Sequence, residues 1–442
     1  MTNTMLRATL PLLFMLLPFS QAFAEDLVDV YNAAVENDPW FQSQALTLKA
    51  EQQGPASARG DLLPDVRLFA ARVRRHEELA GSTTFAAGEA TFDSNEYGVS
   101  VTQPLFDRQS FLAYEQSKLA AQSAEVDFQD ARQQLILRVV DRYLGVLAAQ
   151  DNLDLAMSER RAIQRQLELA RSRLEVGLGT TTDLYDAQAR FELAQAQEIR
   201  AQQSLEDAHQ ALWELIGRRA EQLAVLQEDS PLVPPMPDDQ SVWVDRAEQN
   251  NLALVAAGLN EEISRREVSR QQARRMPTLN LILGHNVADD DGSISGGDVR
   301  QESTEGRLQL EIPIFQGGGI TADSRAAVYR YQATQQQTES ALRAATRDAR
   351  SAFLDVTTSA REASALDQAV VASEKALESR QEGFEAGLNT NLDVLDAQRD
   401  LFQAKRDYLS ARYQYITNRL RLYSVAGELD LEDLETVNSW LQ

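Results

Sequence analysis

The chain contains no cysteine in 442 residues. That absence excludes thiol catalysis, Cys-ligated zinc, iron–sulfur clusters, disulfides and a lipidated N-terminal Cys together. Histidine is scarce, and His76, His209 and His285 stand too far apart in sequence to suggest a metal site. Basic residues are outnumbered, 43 Lys+Arg against 67 Asp+Glu, for a formal net charge of −24. Nucleic-acid binding needs a cationic footprint, so no nucleic-acid partner is expected. Apart from the N-terminus, no segment approaches the ~20 apolar residues of a transmembrane helix. Any membrane contact must come through strands or the surface. Proline is absent between Leu105 and Ser230 and again after Pro313, and in the first tract glycine occurs only at 145, 177, 179 and 217. Tracts so poor in helix breakers and rich in Ala, Gln, Arg, Glu and Leu favour very long helices. From about Asp107 to Val176 is roughly 70 residues, or about 100 Å of helix.

What is present begins with a leader. Arg7 is followed by the apolar run Ala8 to Phe19, and Ala22-Phe23-Ala24 fits the A-x-A cleavage pattern. Residues 1–24 read as a signal peptide, with the mature chain starting at Glu25. The rest is written twice. Glu175-Val-Gly-Leu-Gly-Thr-Thr-Thr-Asp-Leu-Tyr-Asp-Ala-Gln188 matches 385–398 at eight of fourteen positions, offset by 210. The same offset carries Gly217 onto Gly427. An offset of 209 carries Pro104-Leu105-Phe106 onto Pro313-Ile314-Phe315, and one of 213 carries Pro64 onto Pro277. Ordered matches at nearly one spacing indicate a duplicated unit. The repeats are assigned to 25–237 and 238–442, joined by the proline-rich stretch 231–237.

Each repeat has two textures. Alternation of apolar and polar residues marks strands at about 62–75, 97–105, 276–287 and 304–314. Polar loops from His76 to Thr91 and from Ala288 to Ser303 separate them. Asp289-Asp290-Asp291-Gly292 lacks the spacing of a calcium loop and reads as solvated. Helical hairpins follow, at about 107–217 and 320–427. A 4-3 alternation runs from Leu388 through Leu392, Leu395, Arg399, Phe402, Arg406, Leu409, Tyr413, Ile416 and Leu420 to Tyr423, as in coiled-coil packing. Another runs from Phe353 to Phe384. On 128–156 two stripes coexist, Leu135/Val139/Val146/Leu153 and Ile136/Val140/Leu144/Leu147. A helix with two seams touches a neighbour on each side, like a stave. Strands of about ten residues with one apolar face suit an outer-membrane barrel. Four cannot close one, and an open edge in lipid is forbidden. An oligomer sharing one barrel is the consequence. A soluble periplasmic coiled-coil adaptor or structural rod is the alternative reading.

The duplicated Gly-Leu turns with Asp183/Asp186 and Asp393/Asp396, and the Pro-Leu/Ile-Phe junctions, resemble the TolC family of outer-membrane efflux and type I secretion channels. Pro313-Ile-Phe-Gln-Gly-Gly318 follows the family pattern, whereas Asp107-Arg108 departs from it at the first junction. The resemblance covers essentially the whole mature chain. It implies a mainly α fold with a transmembrane β-barrel contribution. Long antiparallel hairpins would form an α-barrel, with four strands per chain completing a 12-stranded β-barrel in a homotrimer. An equatorial region would draw on the segment after Gly217, a helix from about Gln240 to Arg274, and the tail from Glu428. The implied function is a passive exit duct for small molecules or secreted proteins, held in outer-membrane lipid. Its partners would be a periplasmic adaptor (a membrane fusion protein) and an inner-membrane transporter of RND or ABC type.

Thr180 with Asp183, and Thr390 with Asp393, have the T-x-x-D spacing of a helix-starting capping box. Asp393 and Asp396, three residues apart, share a helix face. The resemblance makes them an acidic pore constriction. Six carboxylates in a trimer would raise some pKa values and favour cations. It also implies a latch between hairpins. The Tyr and Arg known there in the family are replaced by Phe384 and Asn389, facing Thr182 and Asp183. The adaptor would dock on the tips Gly177, Leu178, Gly179 and Thr180, and Gly387, Leu388 and Thr390. No nucleophile elbow, phosphate loop or His partner accompanies these carboxylates, so no enzyme activity, cofactor or metal is expected.

Overall fold

A computed structural model of the protein describes residues 24–79, 88–220, 222–227, 230–293 and 296–442. The leader thus lies outside the described residues except for Ala24. Two helices dominate, α4 (Arg108–Glu175) of 68 residues and α8 (Gly319–Glu385) of 67. Each is about 100 Å long. Each turns back into a half-length partner, α5 (Thr181–Ile216) and α9 (Asn391–Val425). The halves that these leave uncovered are flanked by shorter helices. Those are α1 (Leu27–Asn37), α2 (Pro39–Glu51), α3 (Gly54–Gly60), α6 (Gln240–Asn250), α7 (Leu252–Ala273) and α10 (Leu431–Asn438). In the half that ends at the hairpin turns, α5, α4, α9 and α8 lie side by side. In the other half, α2 with α3, then α4, α7 and α8 do so. The chain is therefore a slab four staves wide, and α4 has a neighbour on both sides.

The two long helices start by different chemistry. Asp107 Oδ1 accepts from Gln109 N at 2.9 Å and Ser110 N at 3.3 Å, a side-chain cap. At the second junction Gly317 and Gly318 hold φ of 59° and 82°, with no side-chain cap. Asp107-Arg108 thus replaces a left-handed glycine turn with a hydrogen-bonded start.

The strands β1 (Asp65–Leu79), β2 (Gly88–Phe106), β3 (Thr278–Asp290) and β4 (Val299–Glu311) form one antiparallel sheet in the order β1-β2-β3-β4. Directly paired residues share a face. One face carries Val66↔Val101↔Leu283, Leu68↔Val99, Leu281↔Leu308 and Phe106↔Leu279↔Leu310. The other carries Arg67↔Ser100, Thr102↔Ile282↔Arg307 and Glu96↔Ala288↔Gln301. An apolar and a polar face run through all four strands, and β1 and β4 have no further partner among the described residues. The first hairpin is longer than the alternation suggested. Its ladder continues through Arg75↔Phe92 and Glu77↔Ala90, where backbone pairing persists although the apolar pattern has ended. At the other end Ile312 to Phe315 fall outside β4, because Pro313 has no N–H to give a ladder. No described helix is long and apolar enough to cross a membrane.

The main core lies at mid-height. Both stripes of α4, from Leu135 to Leu147, are buried there, together with Leu27, Val30 and Tyr31 of α1. Leu212 and Ile216 of α5, Trp243 of α6, Tyr415, Ile416 and Leu420 of α9, and Leu434 and Trp440 near the C-terminus complete it. The connector after α5 is strapped between the chain ends by bridges Glu25↔Leu223 and Leu226↔Leu441. The segment Gln240 to Arg274 is two helices, not one. The chain breaks at Asn251 (ψ 119°), whose side chain caps α7 by accepting from Leu254 N at 3.1 Å. Consequently α6 joins the mid-height region while α7 becomes a stave between α4 and α8.

Candidate functional site: the paired hairpin tips

The two turns are built alike. At the first, Gly177 takes φ of 77°, and Leu178 N and Gly179 N donate to Arg173 O at 2.8 and 3.0 Å. At the second, Gly387 takes φ of 76°, and Leu388 N and Asn389 N donate to Gly383 O at 2.7 and 3.1 Å. Only a residue tolerant of the left-handed region closes a helix this way. The next helix then starts with a reciprocal cap. Thr180 Oγ1 accepts from Asp183 N at 3.1 Å, while Asp183 Oδ2 accepts from Thr180 N at 3.2 Å. Thr390 and Asp393 repeat it at 3.2 and 2.8 Å. Both aspartates therefore cap α5 and α9. Leu178 and Leu388 project from the turns, 80% and 85% exposed.

Asp393 also accepts from Arg380 Nη1 at 2.9 Å. The Thr390 N–H, then its hydroxyl, then the Arg380 guanidinium hold its carboxyl below the usual carboxylate range. The pKa elevation foreseen for an acidic ring is thus opposed within each chain. Asp396 lies one turn along α9 and reaches across to Arg190 of α5 at 2.8 Å, with Arg399 at 3.2 Å on its own helix. Arg190–Asp396 joins the two hairpins directly.

Among the described residues no hydrogen bond or ion pair joins Phe384 or Asn389 to Thr182 or Asp183 within the chain. Phe384 instead lies under the Arg173 guanidinium of α4, 4.1 Å from ring centroid to charge. Asn389 folds back onto its own hairpin, donating to Arg380 O at 3.3 Å and packing over Gly383. Thr182 is exposed. Sequence reasoning missed the four cations Arg173, Arg190, Arg380 and Arg399. Arg190 had a legible signal: it lies seven residues beyond Asp183, two turns along the same face.

Below the core the packing becomes polar. A small cluster of Ile163, Ala170, Ala187, Ala194 and Leu395 holds the tips together. Among these residues lie buried Gln166, Asn391 and Gln398, and an ion pair from Arg406 to Glu159 at 2.9 Å. From Asp367 to Glu385, α8 has no buried residue, and the exposure of Leu388 and Leu392 ends the α9 stripe before the turn. Few apolar contacts make the tips the low-stability end of the slab. Among the described residues no group of His, Asp or Glu is placed to hold a metal ion.

Two hairpins, a two-faced sheet and open edges on both sides define one segment of the wall of a membrane-embedded tube. The chain belongs to the outer membrane efflux protein family, whose model matches residues 30–218 and 243–428. It is similar to the outer membrane protein TolC of Vibrio cholerae serotype O1, 32% identical over 426 residues, covering 96% of this chain and 95% of that protein. It is also similar to the alkaline protease secretion protein AprF of Pseudomonas aeruginosa, 32% identical over 428 residues, covering 96% and 89%. A solved structure of CusC shares the fold with a TM-score of 0.78 at 19% identity, covering 91% of this chain and 92% of that one. The protein is therefore an outer-membrane channel of the efflux and secretion class, in a family of channels rather than enzymes.

Proposed function

We propose that three copies close into one tube, a 12-stranded barrel in the outer membrane continued by a helical tunnel through the periplasm. The observation that carries this is the open sheet. Its apolar face suits lipid, yet β1 and β4 each leave a row of unpaired backbone groups. Hydrocarbon does not admit such an edge, so β1 of one copy must meet β4 of the next. The helical edges support the same closure. Large apolar side chains lie exposed on the outermost staves, Tyr185, Leu193, Ile199 and Trp213 on α5 and Leu354 and Val371 on α8. Along β3 the apolar rows run from Leu279 to Val287, about 26 Å of strand. At a ~40° tilt they cover about 20 Å of membrane, suiting a thin bilayer.

The tube is a passive exit duct and carries out no catalysis of its own. A periplasmic adaptor docks on the tips at Gly177 to Thr180 and Gly387 to Thr390, where Leu178 and Leu388 offer apolar contacts to a partner helix. An inner-membrane transporter of RND or ABC type supplies the cargo and the energy. Asp393 and Asp396 line the mouth, and the Arg190–Asp396 and Arg173–Phe384 contacts hold the hairpins together in the narrow state. Fractionation with an unheated gel tests this. The protein should remain with the outer membrane in high salt and migrate as a trimer until strongly heated. Release by salt as a monomer would refute the reading.

A further inference from the structure

The bond after Ala24 lies at an unusual place in the fold. Ala24 is exposed, but Glu25 is built into the mid-height strap. Its N–H donates to Gln222 O at 2.8 Å, and its carbonyl accepts from Ala224 N and from the Tyr143 hydroxyl, both at 3.1 Å. Its carboxylate takes Arg218 Nη1 at 2.5 Å on Oε1, while Oε2 is buried with no hydrogen-bond partner. Asp26 and Asp29 follow at once in the capping box that starts α1. Among the described residues, the charged groups facing this point are three carboxylates, one guanidinium and the half-positive N-terminus of α1. The other groups packed on it are neutral. Tyr143 comes from α4, and Asn438 of α10 donates to Asp26 Oδ2 at 2.9 Å and accepts from Leu27 N at 2.9 Å. Burial first, and then the charges of Asp26, Glu25 and Asp29, push the Tyr143 phenol well above its ordinary range, against the lowering effect of its hydrogen bond to Ala224 O at 2.8 Å.

We propose that hydrolysis of the Ala24–Glu25 bond is a structural step, because the α-ammonium it creates on Glu25 is the missing cation of this acidic clasp. The proposal rests on the leader assignment from Ala22-Phe23-Ala24. A leader peptidase adds water across the amide. The new carboxylate leaves on Ala24, and the Glu25 nitrogen keeps its bonding to Cα and takes up protons to become an ammonium. One proton stays on Gln222 O, and two are left for the acceptors around it, including the orphaned Oε2. Before cleavage the same position holds a neutral amide, and the clasp retains its excess negative charge. The strap joins the start of α1, the connector after α5, Tyr143 of α4 and the C-terminal segment at Trp440 to Gln442. Removal of the leader and closure of the mid-height region are thereby coupled.

The test inserts one Ala between Ala24 and Glu25. The A-F-A site stays intact, and the new amine moves about 3.5 Å along the chain. Wild-type and insertion channels are purified in detergent, their N-termini sequenced, and their unfolding temperatures followed from pH 6 to pH 10. Wild type should begin at Glu25 and unfold about 2–4 °C higher than the insertion protein at pH 7. An ammonium in an acidic clasp has its pKa raised above the ~7.7–8.0 of a free chain end. Its stabilisation is therefore complete below that value and lost as pH rises through the folded pKa, so the gap should close by pH 10. Equal temperatures at pH 7, or a gap that ignores pH, would overturn the role of the ammonium. A wild-type N-terminus other than Glu25 would overturn the leader assignment instead. If the insertion protein does not fold, acetylation of the wild-type α-amine decides. Only Lys49, Lys118, Lys375 and Lys405 compete for the reagent, and the acetylated protein should lose the fall in stability between pH 7 and pH 10.

Discussion

Arg190→Gln removes the one ion pair that ties α5 to α9 among the described residues. The two side chains are 29% and 40% exposed, so the pair contributes in the range of surface ion pairs, about 0.2–1 kcal/mol. Asp396 keeps Arg399 at 3.2 Å after the change, so no charge is stranded and a value near 0.5 kcal/mol applies. If three chains open together, the closed state loses about 1.5 kcal/mol, which multiplies the open population roughly tenfold. Planar-bilayer recordings at about 0.1 M salt should show that rise in mean conductance. At about 1 M salt the Debye length falls to ~3 Å, the wild-type pair is screened, and the two proteins should converge. Arg190→Lys should lie between them. Equal conductance at low salt, or a difference that survives high salt, would mean that the pair does not hold the mouth closed.

If Asp393 and Asp396 line the mouth as proposed, Asp393→Ala with Asp396→Ala removes two carboxylates per chain from it, and cation selectivity and block by multivalent cations should both fall. Unchanged reversal potentials would place the two residues away from the pore. Because Asp393 is held below the usual carboxylate range, its charge and its cap persist as pH falls to about 4 and are lost only further down, which selectivity measured against pH will show. Gly217→Ala should cost about 1–2 kcal/mol through its left-handed backbone alone. Gly427→Ala should cost distinctly more, because its added Cβ would collide with Asn250 O, and equal shifts in urea midpoint would contradict this. Burial raises the Asp151 carboxyl even though the Tyr413 hydroxyl, at 2.5 Å, lowers it. A raised acid stabilises the fold below its unfolded pKa and loses that contribution as pH rises, so Asp151→Asn should be the more heat-stable protein at pH 7, with the gap closing towards pH 4.

Much of the tip geometry was legible because it is local. A capping box joins residues three apart, and a left-handed glycine closes a turn using its nearest neighbours, so Thr180/Asp183 and Thr390/Asp393 can be read from spacing. The long helices follow from missing breakers in the same way. The contacts that Phe384 and Asn389 make within the chain were not legible, for the opposite reason. Their partners are set by which side of α8 meets α4, and repeat spacing carries no information about that.

By itself the sequence determined the turn chemistry and the two-faced character of the strands, since each depends on contacts within a few residues. The tertiary structure alone decided which distant groups meet. Arg190 and Asp396 are 206 positions apart and touch only because α5 and α9 flank the same stave. The end of the first hairpin's ladder likewise depended on backbone pairing, which continues after side-chain alternation stops. Gly217 and Gly427 show the division most plainly. They are equivalent in the repeat and nearly equal in φ, at 71° and 74°, yet one faces Asn37 across ordinary contact distance and the other lies against the Asn250 carbonyl. Backbone conformation is written locally, whereas the space beside a residue is filled by whatever the fold brings there.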